Sequence, residues 1–140
     1  TVGGVTSERA TVYRWRSAYQ AAFRARMAWC HTSYEQANHE PEARLAGPPR
    51  REVRPGEEVV LDASGSTDPD GDRLACRWWV YPEPGTYRGS LTIRDAEEPV
   101  ARLVAPVVER PETIHVILEV TDDGEPRLTS YRRVVVTVTP

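Results

Sequence analysis

Val59-Val60-Leu61-Asp62-Ala63-Ser64-Gly65-Ser66-Thr67-Asp68-Pro69-Asp70-Gly71-Asp72 is the stretch that decides the fold. A short apolar strand runs into a dense turn, where Asp, Pro and Gly each supply a different turn chemistry. The Pro55-Gly56 pair ahead of it is itself a turn signal. Beyond it, Leu74, Cys76, Trp78 and Val80 alternate with Ala75, Arg77, Trp79 and Tyr81. A period of two in a strand sends the first set inward and the second outward.

The same pattern recurs toward the C-terminus. Leu91 and Ile93 mark a shorter strand, and Val100 to Val104 another. Ile114, Val116, Leu118 and Val120 alternate, as do Val134, Val136 and Val138. Asp70-Gly71, Pro84-Gly85 and Asp123-Gly124 punctuate these runs as turns. About seven short strands in roughly 100 residues, with an inward Trp on the third, read as an immunoglobulin-like sandwich.

The chain before this region has a different texture. Residues 8–37 contain neither Pro nor Gly, whereas residues 38–140 hold all 12 prolines. That shift divides the chain into a helical connector, 1–37, and a β-sandwich, 38–140. The connector reads as one α-helix from about Ser7 to Glu35, with Ser7 as N-cap and Glu8 in the first turn. Trp15, Ala18, Ala22, Ala25 and Trp29 form one stripe at helical spacing, and Tyr19, Phe23, Met27 and Cys30 form a second beside it. Arg26 falls inside this wide apolar face, where a charge needs a carboxylate or water. Trp15, Tyr19, Phe23, Arg26 and Trp29 are therefore candidate interdomain residues. Two packings satisfy the pattern: the helix lies on its own sandwich with Arg26 reaching water, or it lies on a preceding domain.

Bulk composition narrows the class. The chain has 140 residues, 39% hydrophobic and 28% charged, which suits a globular fold. A formal net charge of −3 offers nothing to nucleic acid or an anionic membrane. No apolar run approaches the roughly 18 residues of a membrane span. The opening Thr1-Val2-Gly3-Gly4, without an initiator Met, leads us to expect a piece of a longer protein. All 18 basic residues are Arg, which no fold requires. Cys30 and Cys76 are too few for a disulfide scaffold or a Cys-rich zinc site; they read as two buried free thiols or as one disulfide.

The stretch Asn38-x-x-Pro41, Ala43, Gly47, then Gly56 through Asp72, together with Val120-Thr121-Asp122-Asp123-Gly124, resembles a PKD domain. Trp78-Trp79-Val80-Tyr81-Pro82 stands where the usual WDFGDG run would follow. The full pattern is similar to the C-terminal region of bacterial secreted proteins described as cellulose-binding. It is carried by Tyr13-Arg14-Trp15-Arg16, Ala25-Arg26-Met27-x-Trp29, Ala37-Asn38-His39, Trp78-Trp79-x-Tyr81 and Thr113 through Val120. Ala22 and Ala28 stand where that family has acidic residues. The resemblance implies a secreted or periplasmic bacterial protein, and a nucleoside-hydrolase-like domain ahead of Thr1 as partner. It implies a mainly β, PKD-like sandwich preceded by one helix, acting as an accessory module that docks on and orients that domain. The alternative it implies is a cellulose- or polysaccharide-binding module.

Two groups of residues carry candidate sites. In an immunoglobulin-like sandwich the second-to-third and sixth-to-seventh strand loops share one end. Asp68, Asp70 and Asp72 lie on the first loop and Asp122 and Asp123 on the second, and a first strand expected from about residue 41 begins at the same end, which brings Asn38 and Glu40 near. Calcium takes six to eight oxygens from such mixed donors, and the resemblance to PKD domains implies calcium in this region. Asp68, Asp70 and Asp123 are the first candidate ligands, with Asn38, Glu40 and Asp122 completing the set. The same Asp-Pro-Asp-Gly run also serves as plain turn chemistry, Asp side chains holding local backbone N–H groups.

The second group is aromatic. Trp79 and Tyr81 share the outward face, and Tyr87 follows the Pro84-Gly85 turn. Exposed flat rings would make a sugar-stacking platform; a covering helix or domain would remove it. His31, His39 and His115 show no metal or catalytic spacing, and neither a GxSxG elbow nor a phosphate-cradling loop occurs. No catalytic residue is expected.

Overall fold

The structure, a computed structural model, describes residues 10–140, with side chains from Val12 onward. The proposed Ser7–Glu8 cap lies outside the described residues. Two helices, α1 (Ala10–Arg14) and α2 (Arg16–Trp29), precede seven strands. These are β1 (Arg50–Val53), β2 (Glu58–Asp62), β3 (Ala75–Val80), β4 (Ile93–Arg94), β5 (Val100–Val104), β6 (Glu112–Thr121) and β7 (Thr129–Val138). One sheet has the order β1-β7-β6-β3, the other β2-β5-β4. The expected seven-strand sandwich with an N-terminal helix is the observed architecture.

The alternating residues meet between the sheets. Val59, Leu61, Trp78, Leu103, Ile114, Val116, Leu118, Val120, Val134, Val136 and Val138 are all buried. Trp78 fills the centre, and its indole N–H donates to the Glu98 carbonyl at 3.1 Å, so the one polar atom of this ring is satisfied. β6 departs from strict alternation at Ile117, an outward position that is nevertheless buried. The connector is what covers that side of the sheet.

Four local expectations change. The helix is interrupted at Trp15 (φ −95°, ψ 1°), and the Trp15 N–H donates to Val12 O at 3.2 Å in a tight turn. Packing of the Trp15 ring against the sheet overrides helix propensity there. The helix also stops at Trp29 rather than continuing to Glu35, and Tyr34–Gln36 forms a single 3₁₀ turn. The Trp29 indole N–H donates to Asn38 O at 3.0 Å, which folds the chain back across the helix end. Residues 41–46 contribute only an isolated bridge between Glu42 and Thr67, and the first strand is instead β1, paired parallel to β7. Both cysteines are free; Cys76 is buried, which pushes its thiol pKa up, but Cys30 is exposed rather than buried.

Candidate functional site

At the end of the sandwich where the acidic loops meet, turn chemistry chooses which carboxylates converge. Asp68 Oδ1 accepts the backbone N–H groups of Asp70 (2.8 Å) and Asp72 (3.1 Å). Gly71 closes the turn at φ +76°, a conformation glycine adopts without strain. Asp68 Oδ2 is left buried with no hydrogen-bond partner. Asp122, 3% exposed, accepts from the N–H groups of Gly124 and Leu128 with Oδ1, and from Asn38 Nδ2 with Oδ2 at 2.9 Å. Asn38 lies so close to Gly124 that a Cβ there would sit 2.4 Å from its amide. Asp68, Asp72 and Asp122 each bring a carboxylate oxygen within 4.8 Å of the others. Burial, followed by repulsion from Asp68, Asp122, Asp123 and Asp70, pushes the Asp72 pKa above its ordinary value.

Of the remaining candidate ligands, Asp70 and Asp123 accept backbone N–H groups and Glu40 is exposed. Asp70 turns to the segment that follows the helix: Oδ2 accepts the His39 backbone N–H at 2.6 Å, and Oδ1 meets His39 Nδ1 at 2.8 Å. Burial pushes the Asp70 carboxyl up, but the bonds to His39 outweigh it and hold the pKa below its ordinary value. His39 itself stacks between Trp29, 5.7 Å away, and Tyr34, 4.0 Å away. Asp123 accepts the Arg73 backbone N–H at 2.9 Å, and Glu40 is exposed. The converging set is thus Asp68, Asp72 and Asp122, with Asn38 behind Asp122. Asp72 rather than Asp70 lies beside Asp68 and Asp122, while both Asp70 oxygens are held by His39. No pattern in the sequence marks His39 as the partner of Asp70.

The outward aromatics do not form an open row. Trp79 is half-buried beneath Trp15, with ring centroids 5.4 Å apart, and its indole N–H donates to Glu119 Oε1 at 3.1 Å. Trp15 also meets Tyr131 edge-on at 4.8 Å and Tyr81 at 5.9 Å. Burial, then the Glu119 charge, pushes the Tyr131 hydroxyl pKa up to about 12. The Arg14 guanidinium lies 5.2 Å from the Trp79 and Tyr81 ring centroids and grips both oxygens of Glu83, at 2.6 and 3.0 Å. Tyr87 sits apart from them, half-buried against the core with its ring over Gly89. Tyr131, Glu119 and Glu83 escaped sequence reasoning, since strand register and a contact 69 residues away leave no local signal.

The two stripes of the connector have different fates. Ala25 is buried, and Trp15, Ala18 and Ala22 are half-buried. Tyr19, Phe23, Met27 and Cys30 are exposed, as is Arg26. Trp29 is 39% exposed with one ring face on His39. His115, on the outward side of β6, has its pKa lowered by burial and then by Arg133 and Arg50. No helix among the described residues is long and apolar enough to cross a membrane.

A seven-strand sandwich with a helix pinned to its outer face by an aromatic cluster defines the class: a β-sandwich with an N-terminal helix packed on one sheet. The family model for the C-terminal domain of the cellulose-binding protein Sde0182 matches residues 58–138, and the chain belongs to that family. Among solved structures, a nucleoside hydrolase-related hypothetical protein from Saccharophagus degradans, associated with carbohydrate metabolism, is 33% identical with a TM-score of 0.85. The alignment covers 99% of this chain and 40% of that one, so the chain spans about two fifths of that protein's length. The PKD domain of the KIAA 1837 protein aligns over 70% of this chain and 89% of its own at 20% identity, TM-score 0.48. No curated protein sequence matches the chain.

Proposed function

We propose that this chain is a non-catalytic accessory module of a carbohydrate-related, hydrolase-like protein of the bacterial cell exterior. Residues 1–37 act as connector and 38–140 as sandwich. Its work is to dock on and orient a nucleoside-hydrolase-like domain. The observation that carries this reading is the position of Trp79. Its outward ring lies under Trp15 and its N–H is held by Glu119, so the sheet face that could have taken a sugar holds the connector instead. A connector fixed this way transmits orientation, which a loose linker cannot do. The half-buried Arg14–Glu83 pair adds a bidentate contact to the same junction. The test is a pair of assays on the chain itself, nucleoside turnover and retention on insoluble cellulose. Neither is expected; nucleoside turnover would reject the non-catalytic assignment, and firm retention would favour the second reading.

That second reading is a polysaccharide-binding module. What favours it, beside the family's description as cellulose-binding, is a shallow shelf of 370 Å³ lined by Trp15, Ile117, Tyr131, Arg132 and Arg133. Ring surface there adjoins two guanidinium groups that could donate to sugar hydroxyls.

Calcium belongs to the proposal as a structural ion. The buried, unpartnered Asp68 Oδ2 and the adjoining carboxylates of Asp72 and Asp122 fit a hard, oxygen-seeking cation. Such an ion would satisfy the orphaned oxygen and cancel the repulsion that raises the Asp72 pKa.

A further inference from the structure

The exposed side of α2 combines two features that together specify a partner. Tyr19, Phe23 and Met27 recur every four residues, so they stand in one row along the helix. They are 48%, 65% and 53% exposed, while the opposite stripe faces inward. Tyr19, Gln20, Ala22, Phe23, Arg24 and Arg26 together form one open stretch of the helix surface on this side. The helix also carries Arg16, Arg24 and Arg26 and no carboxylate, although the chain as a whole has a net charge of −3. Arg24 reaches only Glu125, at 3.7 Å between two exposed side chains; Arg16 and Arg26 form no ion pair among the described residues.

We infer that the Tyr19–Phe23–Met27 row is the docking surface, and that it takes a face of the hydrolase-like domain that is apolar at its centre and rimmed by carboxylates. This rests on the docking reading above and gives it a location. Continuous apolar rows with polar borders mark protein contacts, and guanidinium groups at a rim select an acidic counterpart. The longer Saccharophagus protein carries three fifths of its length outside the shared region, while the shared region takes in this helix. A second copy of this chain is a poor occupant, because pairing two such rows would bring like-charged arginines together.

Hydroxyl-radical footprinting tests the surface directly, in the 140-residue chain and in the natural polypeptide that also carries the hydrolase-like domain. In the larger polypeptide, oxidation of Tyr19, Phe23 and Met27 should fall by about fivefold or more, as expected when half-exposed side chains enter an interface core. The combined variant Phe23→Ser, Arg24→Glu, Arg26→Glu should restore their neighbours' reactivity without changing the circular dichroism of the 140-residue chain. Protection of some other face of this chain, with the row still reactive, would overturn this location and leave the docking reading standing. No protected residue anywhere on the chain would overturn the docking reading itself. Protection that appears in the 140-residue chain alone on concentration, and vanishes on dilution, would assign the row to a second copy and overturn the inference.

Discussion

Trp15 of the connector lies over Trp79 of the third strand, with ring centroids 5.4 Å apart and planes tilted by 42°. The helix break falls at Trp15 and the outward Trp of the sheet is covered by it, so one contact accounts for both departures from a simple helix-plus-sandwich plan. Replacing Trp15 by Ala should cost about 2–3 kcal/mol, the scale for losing a half-buried indole together with its ring contacts to Trp79, Tyr81 and Tyr131. Urea denaturation gives the magnitude, and near-ultraviolet circular dichroism gives the loss of ring packing. A variant of unchanged stability would mean that the connector does not hold to the sheet.

Trp78 makes a different demand. It is 2% exposed at the centre of the sandwich, with its N–H satisfied by Glu98 O. Trp78→Ala should destabilise by about 3–5 kcal/mol and lower the urea midpoint without altering the helix surface. A much smaller loss would contradict the inward register of β3.

How much of this was legible in the sequence depends on how locally each feature is encoded. Alternation at Ile114, Val116, Leu118 and Val120 is a local property, and those residues line the core. β1 was missed because Arg50-Arg51-Glu52-Val53 has no apolar alternation; its partner β7 recruits it by parallel pairing. Ile117 breaks the pattern because Trp15, far earlier in the chain, is folded beside it. The acidic loops were readable as a cluster, but not their membership. Whether Asp70 or Asp72 joins Asp68 depends on His39 being present to bind Asp70, a contact 31 residues away in the chain. The two stripes of the helix were visible, whereas the choice of inner stripe required Trp79 and Tyr131 to be in place.

The acidic end should respond to calcium. In millimolar calcium the melting temperature should rise relative to chelator, and an ion at about 100 times its dissociation constant adds roughly 2.7 kcal/mol. Asp72→Ala and Asp68→Ala should abolish the shift, while Asp123→Ala should leave most of it. Identical melting curves with and without calcium would leave the loop as turn chemistry alone.

Without calcium, the two shifted carboxylates impose opposite pH dependences. Asp72 is raised above its ordinary 3.8, so its stabilising effect is complete below that value and is lost as pH rises through the raised folded value. Asp70 is lowered below 3.8, so its contribution is present above that value and is lost as pH falls through the lower folded value. Asp72→Asn should therefore raise the melting temperature at neutral pH in chelator, and Asp70→Asn should lower it. Urea melts from pH 3 to 7 in chelator would detect both, and the reverse order of effects would contradict the assignments.

Binding to cellulose should be weak or absent in a pull-down. Trp79→Ala should leave it unchanged, because that ring is already covered. Strong retention that disappears in Trp79→Ala would mean that the connector leaves the sheet to expose a sugar platform.

The central claim is that the module holds its partner domain in a fixed orientation. Small-angle scattering of a polypeptide that joins this chain to a nucleoside-hydrolase-like domain tests it most directly. The account predicts one compact particle with a single well-defined shape, which Trp15→Ala loosens into a broader distribution of separations. A profile of two units tumbling independently in the unmodified polypeptide would contradict it.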